Sequence, residues 1–248
     1  MDVVYTLSSA SAWNDNELRF SLRSICDNLK DLNQVWIIGH KPKWLTNVRH
    51  IPFPDCYKGN KDANLIQKLI RVCQEPDLSD QYVFNSDDQY LLQPVHSSEL
   101  KNWCLGNMMT QTVDRPNRWH QRLLGLRDKL AEKGFPAFNY EAHIPYIHDK
   151  RQYPKALLQF DYGAGVGYTV NTPYFNVIND RHHVIEPHVR CRLTQPMDQT
   201  KIEQEMDEKL ILNHNDPALN ANLGIAMGQR GTQVAQEAAD MILKDDNL

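Results

Sequence analysis

Cysteines are few and none are closely paired: Cys26, Cys56, Cys73, Cys104 and Cys191 are scattered, and no Cys-x-x-Cys occurs. Neither a disulfide framework nor a zinc knuckle is indicated, and a reducing, cytoplasmic setting is expected. Long apolar runs are missing too; a membrane-spanning helix needs about 20 such residues, and nothing here approaches that length. The first expected strand begins at Asp2, which leaves no room for a signal peptide. Positive charge is not in excess: the net charge is −4. That argues against a surface built mainly to grip nucleic acid. There is no internal repeat and no low-complexity linker. What is present is an ordinary globular composition, 41% hydrophobic and 23% charged over 248 residues, enough for one large α/β domain or two small ones.

Hydrophobic periodicity organises the first third of the chain. Val3 to Leu7 reads as a buried strand, followed by a polar loop from Ser8 to Asn16. Leu18, Leu22, Ile25 and Leu29 are at helical spacing. Gln34 to Gly39 is a second strand, and Val48 to Pro52 a short third. Leu65, Ile66, Leu69, Ile70 and Cys73 form the apolar stripe of a second helix over Asp62 to Cys73. Strands separated by helices predict an α/β fold with a mostly parallel central sheet and flanking helices. Further on, short helical stretches are expected at Ser97–Trp103 and Ile202–Leu212, and a longer one at Arg118–Lys133. Glycines mixed with β-formers over Tyr162–Asn176 suggest a strand or loop where a ligand or another backbone comes close.

The most informative stretch is Tyr82-Val83-Phe84-Asn85-Ser86-Asp87-Asp88-Gln89-Tyr90. A β-branched and aromatic run ends in two adjacent carboxylates, which have no packing reason to be there. In an open α/β sheet, ligands bind outside the carboxyl ends of the strands. Paired carboxylates there suit Mg²⁺ or Mn²⁺, which in turn hold phosphate oxygens. The same residues also suit a solvated turn.

Three blocks then carry a family resemblance. They are Asp2-Val3-Val4-Tyr5-Thr6 with Glu17 to Ile25 and Pro42 to Leu45, Leu78 to Asp88, and Ala142-His143-Ile144-Pro145-Tyr146-Ile147-His148-Asp149-Lys150. Their order and spacing resemble the Stealth family of nucleotide-sugar-dependent sugar-phosphate transferases. The loop Leu7-Ser8-Ser9-Ala10-Ser11 departs from the family pattern. So does the absence of an Arg counterpart between Leu157 and Asn176, where the Gly-rich stretch stands. The resemblance implies a nucleotide-diphospho-sugar transferase of the glycosyltransferase-A kind over residues 1–212. Its donor would be a nucleoside-diphosphate sugar, and its acceptor a saccharide or other hydroxyl.

On this reading Asp87 and Asp88 hold the metal, Mn²⁺ or Mg²⁺. His143, whose imidazole suits a general base, or Asp161 activates the acceptor. Asp2 sits by the donor, as the resemblance implies. Thr6 and Ser8 lie at the carboxyl end of the first strand. Arg19 and Arg23 share one helix face, from which a diphosphate can be gripped. Lys61 and Asn64 lie near the positive end of the second helix, with Lys68 on the same polar stripe. Each of these also suits a solvated surface. One of His182, His183 and His188 is a candidate late metal ligand.

A second resemblance lies at residues 213–248, set apart as a tail segment. Asn215 to Leu219, Gly224 to Thr232 and Val234 to Asn247 resemble part of the phosphorylation domain of P-type cation pumps. The Asp-Lys-Thr-Gly-Thr nucleophile motif of those pumps is absent. Three alternatives stay open: Stealth-type transfer of sugar phosphate, a non-catalytic saccharide- or partner-binding fold, and a glycosyltransferase acting on modified DNA bases. The last, less favoured because of the net charge, would use Arg115, Arg118, Arg122, Arg127 and Lys129 on phosphates.

Overall fold

The computed structural model describes residues 1–8, 11, 15–110, 117–194 and 199–214. Its first elements are β1 (Asp2–Leu7), α1 (Asn16–Asn28), β2 (Gln34–Gly39), β3 (Arg49–Ile51), α2 (Lys61–Val72), β4 (Gln81–Asn85), β5 (Gln89–Leu91) and β6 (Trp103–Cys104). They are followed by α3 (Arg118–Glu132), β7 (Tyr146–Asp149), α4 (Gln152–Leu157), α5 (Thr172–Val177), β8 (His183–Val184), β9 (Arg190–Leu193), α6 (Gln199–Met206) and β10 (Ile211–His214).

The central sheet has the order β3-β2-β1-β4-β7, parallel except for β7 at one edge. Val3, Val4, Ile37, Ile38 and Val83 are fully buried, as strands covered on both faces require. The chain lays β2 and β3 on one side of β1 and then crosses to place β4 on the other. Strand order therefore reverses between β1 and β4, where Tyr5 pairs with Asn85. The crevice outside the carboxyl ends at such a reversal is where open α/β sheets take ligands.

The apolar stripe of α2 packs on β1 and β2, and the Asn60 side chain caps the helix by accepting from the Ala63 N–H at 3.2 Å. Helix α1 attaches to β5 by a polar stripe. Ser21 Oγ donates to Gln89 O at 2.7 Å, Ser24 Oγ accepts from the Leu91 N–H at 3.2 Å, and Asn28 Nδ2 donates to Leu91 O at 2.8 Å. Strand β5 belongs to a second, smaller sheet, β5-β10-β9. Beneath it Tyr90, Cys191, Leu193, Ile202, Met206 and Leu212 form a core of their own.

Against β7, α4 and α5, His148 is fully buried, stacked on Tyr153 at 4.6 Å and bonded through Nε2 to Asn171 Oδ1 at 3.1 Å. Burial pushes its imidazole down to about 3, partly opposed by the Asn171 contact.

Several expected elements differ. Ser97–Trp103 is a single 3₁₀ turn, Ser97–Glu99, capped by His96, before β6. Residues 162–176 are a glycine-bearing loop that enters α5, not a strand. Helix α6 stops at Met206, and Glu208 takes a left-handed φ of 57°. Ile211 and Leu212 then run as a buried strand, which continues past the expected domain boundary at residue 212. Residues 215–248, with the pump-like segments, lie outside the described residues.

Candidate active site

Past Asn85 the chain turns through Ser86, Asp87 and Asp88 into β5. The Gln89 N–H closes the turn on Ser86 O at 3.2 Å, and Gln89 Oε1 accepts from the Ser86 N–H at 3.3 Å. Asn85, fully buried, sets this turn on β1 and α1. Its Nδ2 lies 2.9 Å from Tyr5 Oη, 3.0 Å from Ser21 Oγ, 3.2 Å from Ser86 O and 3.3 Å from Gln89 O. The two carboxylates thus stand on a rigid corner at the carboxyl edge of β4, beside that of β1.

His143 and Asn213 complete the corner. His143 Nε2 is 3.0 Å from Asp88 Oδ2, and Asn213 Nδ2 is 3.0 Å from His143 Nδ1. A carboxylate only accepts and an amide nitrogen only donates, so the proton of the neutral ring belongs on Nε2 and Nδ1 accepts. His143 reaches this position with a left-handed φ of 58°, a conformation unusual for a side-chain-bearing residue. His214 adjoins it: its backbone N–H lies 3.4 Å from Asp88 O, and its Nε2 is 2.6 Å from Tyr90 Oη.

The two acids have opposite electrostatics. Burial and the charges of Asp88 and Glu17 push Asp87 up to about 7. At Asp88 burial acts upward, but the hydrogen bond and charge of His143, with His214 behind it, hold the carboxyl below its usual value. Several buried acceptors have no partner among the described residues: Asp88 Oδ1, Asn213 Oδ1, Asn85 Oδ1 and Glu17 Oε2. A corner crowded with acceptors and short of positive charge fits a hard divalent cation. Among the described residues no group of three or more His, Cys, Asp and Glu side chains is gathered as a metal cage. Mg²⁺ and Mn²⁺ sites that keep waters and take one or two carboxylates do not need one.

The other sequence candidates scatter. Asp2 is at the amino end of β1, away from the corner, and is fully buried. It accepts from Asn33 Nδ2 at 2.7 Å, Trp36 Nε1 at 3.1 Å and the Ser79 N–H at 3.0 Å. Its carboxylate fastens the sheet rather than a donor. Asn64 is spent on the Tyr57 backbone, with Oδ1 on its N–H at 2.8 Å and Nδ2 on its carbonyl at 3.0 Å. Lys61 is exposed at the start of α2, while Lys68 is turned inward, donating to Leu7 O at 2.7 Å and pairing with Asp55 at 2.6 Å.

Thr6 and the exposed Ser8 flank the carboxyl end of β1. Arg19 stacks on Trp44 at 3.8 Å, and Arg23 lies over Phe20 at 5.7 Å. Asp161 is exposed beyond α4, on the turn closed by the Ala164 N–H. His182 stacks on Phe138, and His188 lies beside Glu186. Of the basic run on α3, Arg122 is buried on Asp62 at 2.7 Å, Arg127 and Lys129 pair with Asp128 and Glu132, and Arg118 is exposed at the helix start. Arg115 lies outside the described residues.

Sequence reasoning missed Asn213 and His214, because β10 read as the continuation of a helix. It also missed the Tyr5–Ser21–Asn85 network. The signal for Ser21 is present in the sequence: Glu17, Ser21, Ser24 and Asn28 form a polar stripe at helical spacing, alongside the apolar one.

No protein-family model matches the chain, so the Stealth resemblance rests on its residues alone. A 33-residue stretch, 13% of the chain, is 72% identical to calcium-transporting ATPase 1 of Yarrowia lipolytica. A 33-residue stretch is 67% identical to calcium-transporting ATPase 1 of Schizosaccharomyces pombe. The chain spans about 4% of the length of these curated relatives. Among solved structures, it is similar to the galactosyltransferase LgtC in complex with donor and acceptor sugar analogues. There the TM-score is 0.47 at 12% identity, over 97% of this chain and 96% of that one. Mouse xyloside xylosyltransferase 1 gives 0.43 at 10% identity over 78% and 88%, respectively. A glycosyltransferase involved in glycosylation of the major capsid of PBCV-1 gives 0.45 at 8% identity over 92% and 97%. At these TM-scores the overlap is loose.

Proposed function

We propose that the protein is a glycosyltransferase that moves a sugar from a nucleoside-diphosphate donor to an acceptor hydroxyl. The observation that carries this reading is the Asp87–Asp88 corner at the β1/β4 reversal, with Asp88 Oδ1 buried and without a partner among the described residues. Asp87, Asp88 and the free amide oxygen of Asn213 would hold Mn²⁺ or Mg²⁺. The ion would supply positive charge against the leaving diphosphate.

The chain's own residues have separable roles. Asp88 is divided: Oδ2 takes the His143 ring, and Oδ1 is left for the donor side. Asn85 and Gln89 keep the turn from relaxing as charge changes on it. Thr6 and Ser8 border the crevice where the nucleoside would rest, with Arg19 and Arg23 on the neighbouring helix and Lys61 at the start of α2. His143 can act as base only through Nδ1, which Asn213 now occupies. An acceptor hydroxyl would have to replace that amide, and Asp88 on Nε2 would then stabilise the imidazolium formed. Asp161, by contrast, has no contact among the described residues that ties it to the corner.

The test is calorimetric titration with nucleoside-diphosphate sugars and Mn²⁺, followed by product analysis. Free nucleoside diphosphate is expected. Nucleoside monophosphate with retained sugar phosphate would instead mean phosphosugar transfer. The Asp88→Asn variant should lose about 100-fold or more in turnover. Equal donor and ion binding by wild type and variant would sink the proposal.

A further inference from the structure

We propose that Glu17, on the first turn of α1, is a third carboxylate of the acidic corner and holds its cation through the ion's water shell. The inference rests on the cation-binding reading of Asp87 and Asp88.

The placement follows from the helix. Ser21 Oγ donates to both Ser86 O and Gln89 O, at 3.2 and 2.7 Å, so the polar stripe of α1 lies directly on the acidic turn. Glu17 is four residues earlier on that stripe, about 6 Å further along the axis, on the side of the turn, where its charge acts on Asp87. Only 8% of Glu17 is exposed. Its Oε1 accepts from Ser11 Oγ at 2.5 Å, while its Oε2 is buried with no partner among the described residues. A buried acceptor left unsatisfied is costly, the more so beside two other acids. The favourable position of an acid on a first helical turn accounts for an exposed Glu. It does not account for one packed into a cluster of like charge.

The chemistry points to water. Glu17 Oε2, Asp88 Oδ1, Asn85 Oδ1 and Asn213 Oδ1 are all acceptors without donors among the described residues. Waters bound to a divalent cation turn their protons outward and are donors only. A partly hydrated ion on Asp87 and Asp88 would therefore supply what these oxygens lack. Mg²⁺ and Mn²⁺ usually keep several waters, with outer carboxylates holding them. Direct ligation by Glu17 is not required, in keeping with the absence of a three-residue cage among the described residues.

The experiment measures Mn²⁺ affinity of the full chain without donor, from the free-ion electron paramagnetic resonance signal. Glu17→Gln keeps the size and the Ser11 contact but removes the charge, and is expected to weaken Mn²⁺ about tenfold, in the range for loss of an outer-shell partner. Asp88→Asn is the control. If Asp88→Asn weakens binding and Glu17→Gln does not, Glu17 has no part in the site, although the corner survives. If neither variant moves the affinity, the cation reading itself falls. Should Glu17→Gln fail to fold, Glu17→Asp decides. It keeps the charge, and the water shell absorbs one methylene, so affinity should stay within about threefold of wild type; a larger loss would overturn the water-mediated role.

Discussion

At the scale of single residues, burial decides what a polar side chain is for. Asp2, Asn64 and Lys68 each carry groups that a donor would welcome, yet each is saturated by the protein around it. Residue type and spacing alone could not reveal this, since the partners of Asp2 come from Asn33, Trp36 and Ser79. Asp87 and Asp88 were legible because they break the pattern of a buried strand.

His148 makes a pH prediction. Its folded value, about 3, lies below the ordinary 6.5, so the unfolded chain takes up a proton first as pH falls. The stability it contributes is complete above about pH 6.5 and is lost as pH falls towards 3, with about 2 kcal/mol gone by pH 5. Urea midpoints at pH 7 and pH 5 should show that loss in wild type. The difference should shrink in His148→Phe, which keeps the aromatic stack but cannot take a proton. An unchanged pH dependence in the variant would contradict the assignment.

At the scale of elements, the first third of the fold was readable from periodicity, because β1, α1, β2 and α2 each bury a continuous or stripe-wise apolar face. The later elements are short and are specified by distant partners. Strand β10 is four residues long and becomes a strand through pairing with β5 and β9, a contact no local window contains. The glycine-bearing loop is a place of close approach, made by side chains rather than by another backbone. A Cβ on Gly163 would lie 2.5 Å from the Tyr57 ring, and one on Gly167 would lie 2.4 Å from the Asn60 amide.

The sharpest case is Gly39, where β2 ends with a φ of +109° and an added Cβ would meet Leu7 O at 2.2 Å. Gly39→Ala should therefore cost about 2 kcal/mol or more, read as a lowered denaturation midpoint. A neutral result would mean that the ends of β1 and β2 yield more easily than their packing implies.

At the scale of the whole molecule, two cores meet at the acidic turn: the main one under the parallel sheet, and the smaller one around Tyr90, Cys191, Ile202 and Leu212. Loosening the smaller core should therefore be felt at the corner. Leu212→Ala removes a fully buried side chain and is expected to cost about 2–5 kcal/mol. It should also weaken Mn²⁺ binding, because Asn213 is the next residue. A variant destabilised to that extent with undiminished ion affinity would show that the corner is independent of β10. The interleaving of β5, β10 and β9 joins residues 89–91 to residues 211–214 across more than a hundred positions of chain. During synthesis, Asp87 and Asp88 emerge long before their neighbours His143, Asn213 and His214. A ribosome-bound fragment stopped before residue 211 would carry both acids and His143 but neither Asn213 nor His214, so this corner should not become competent until β10 has been made.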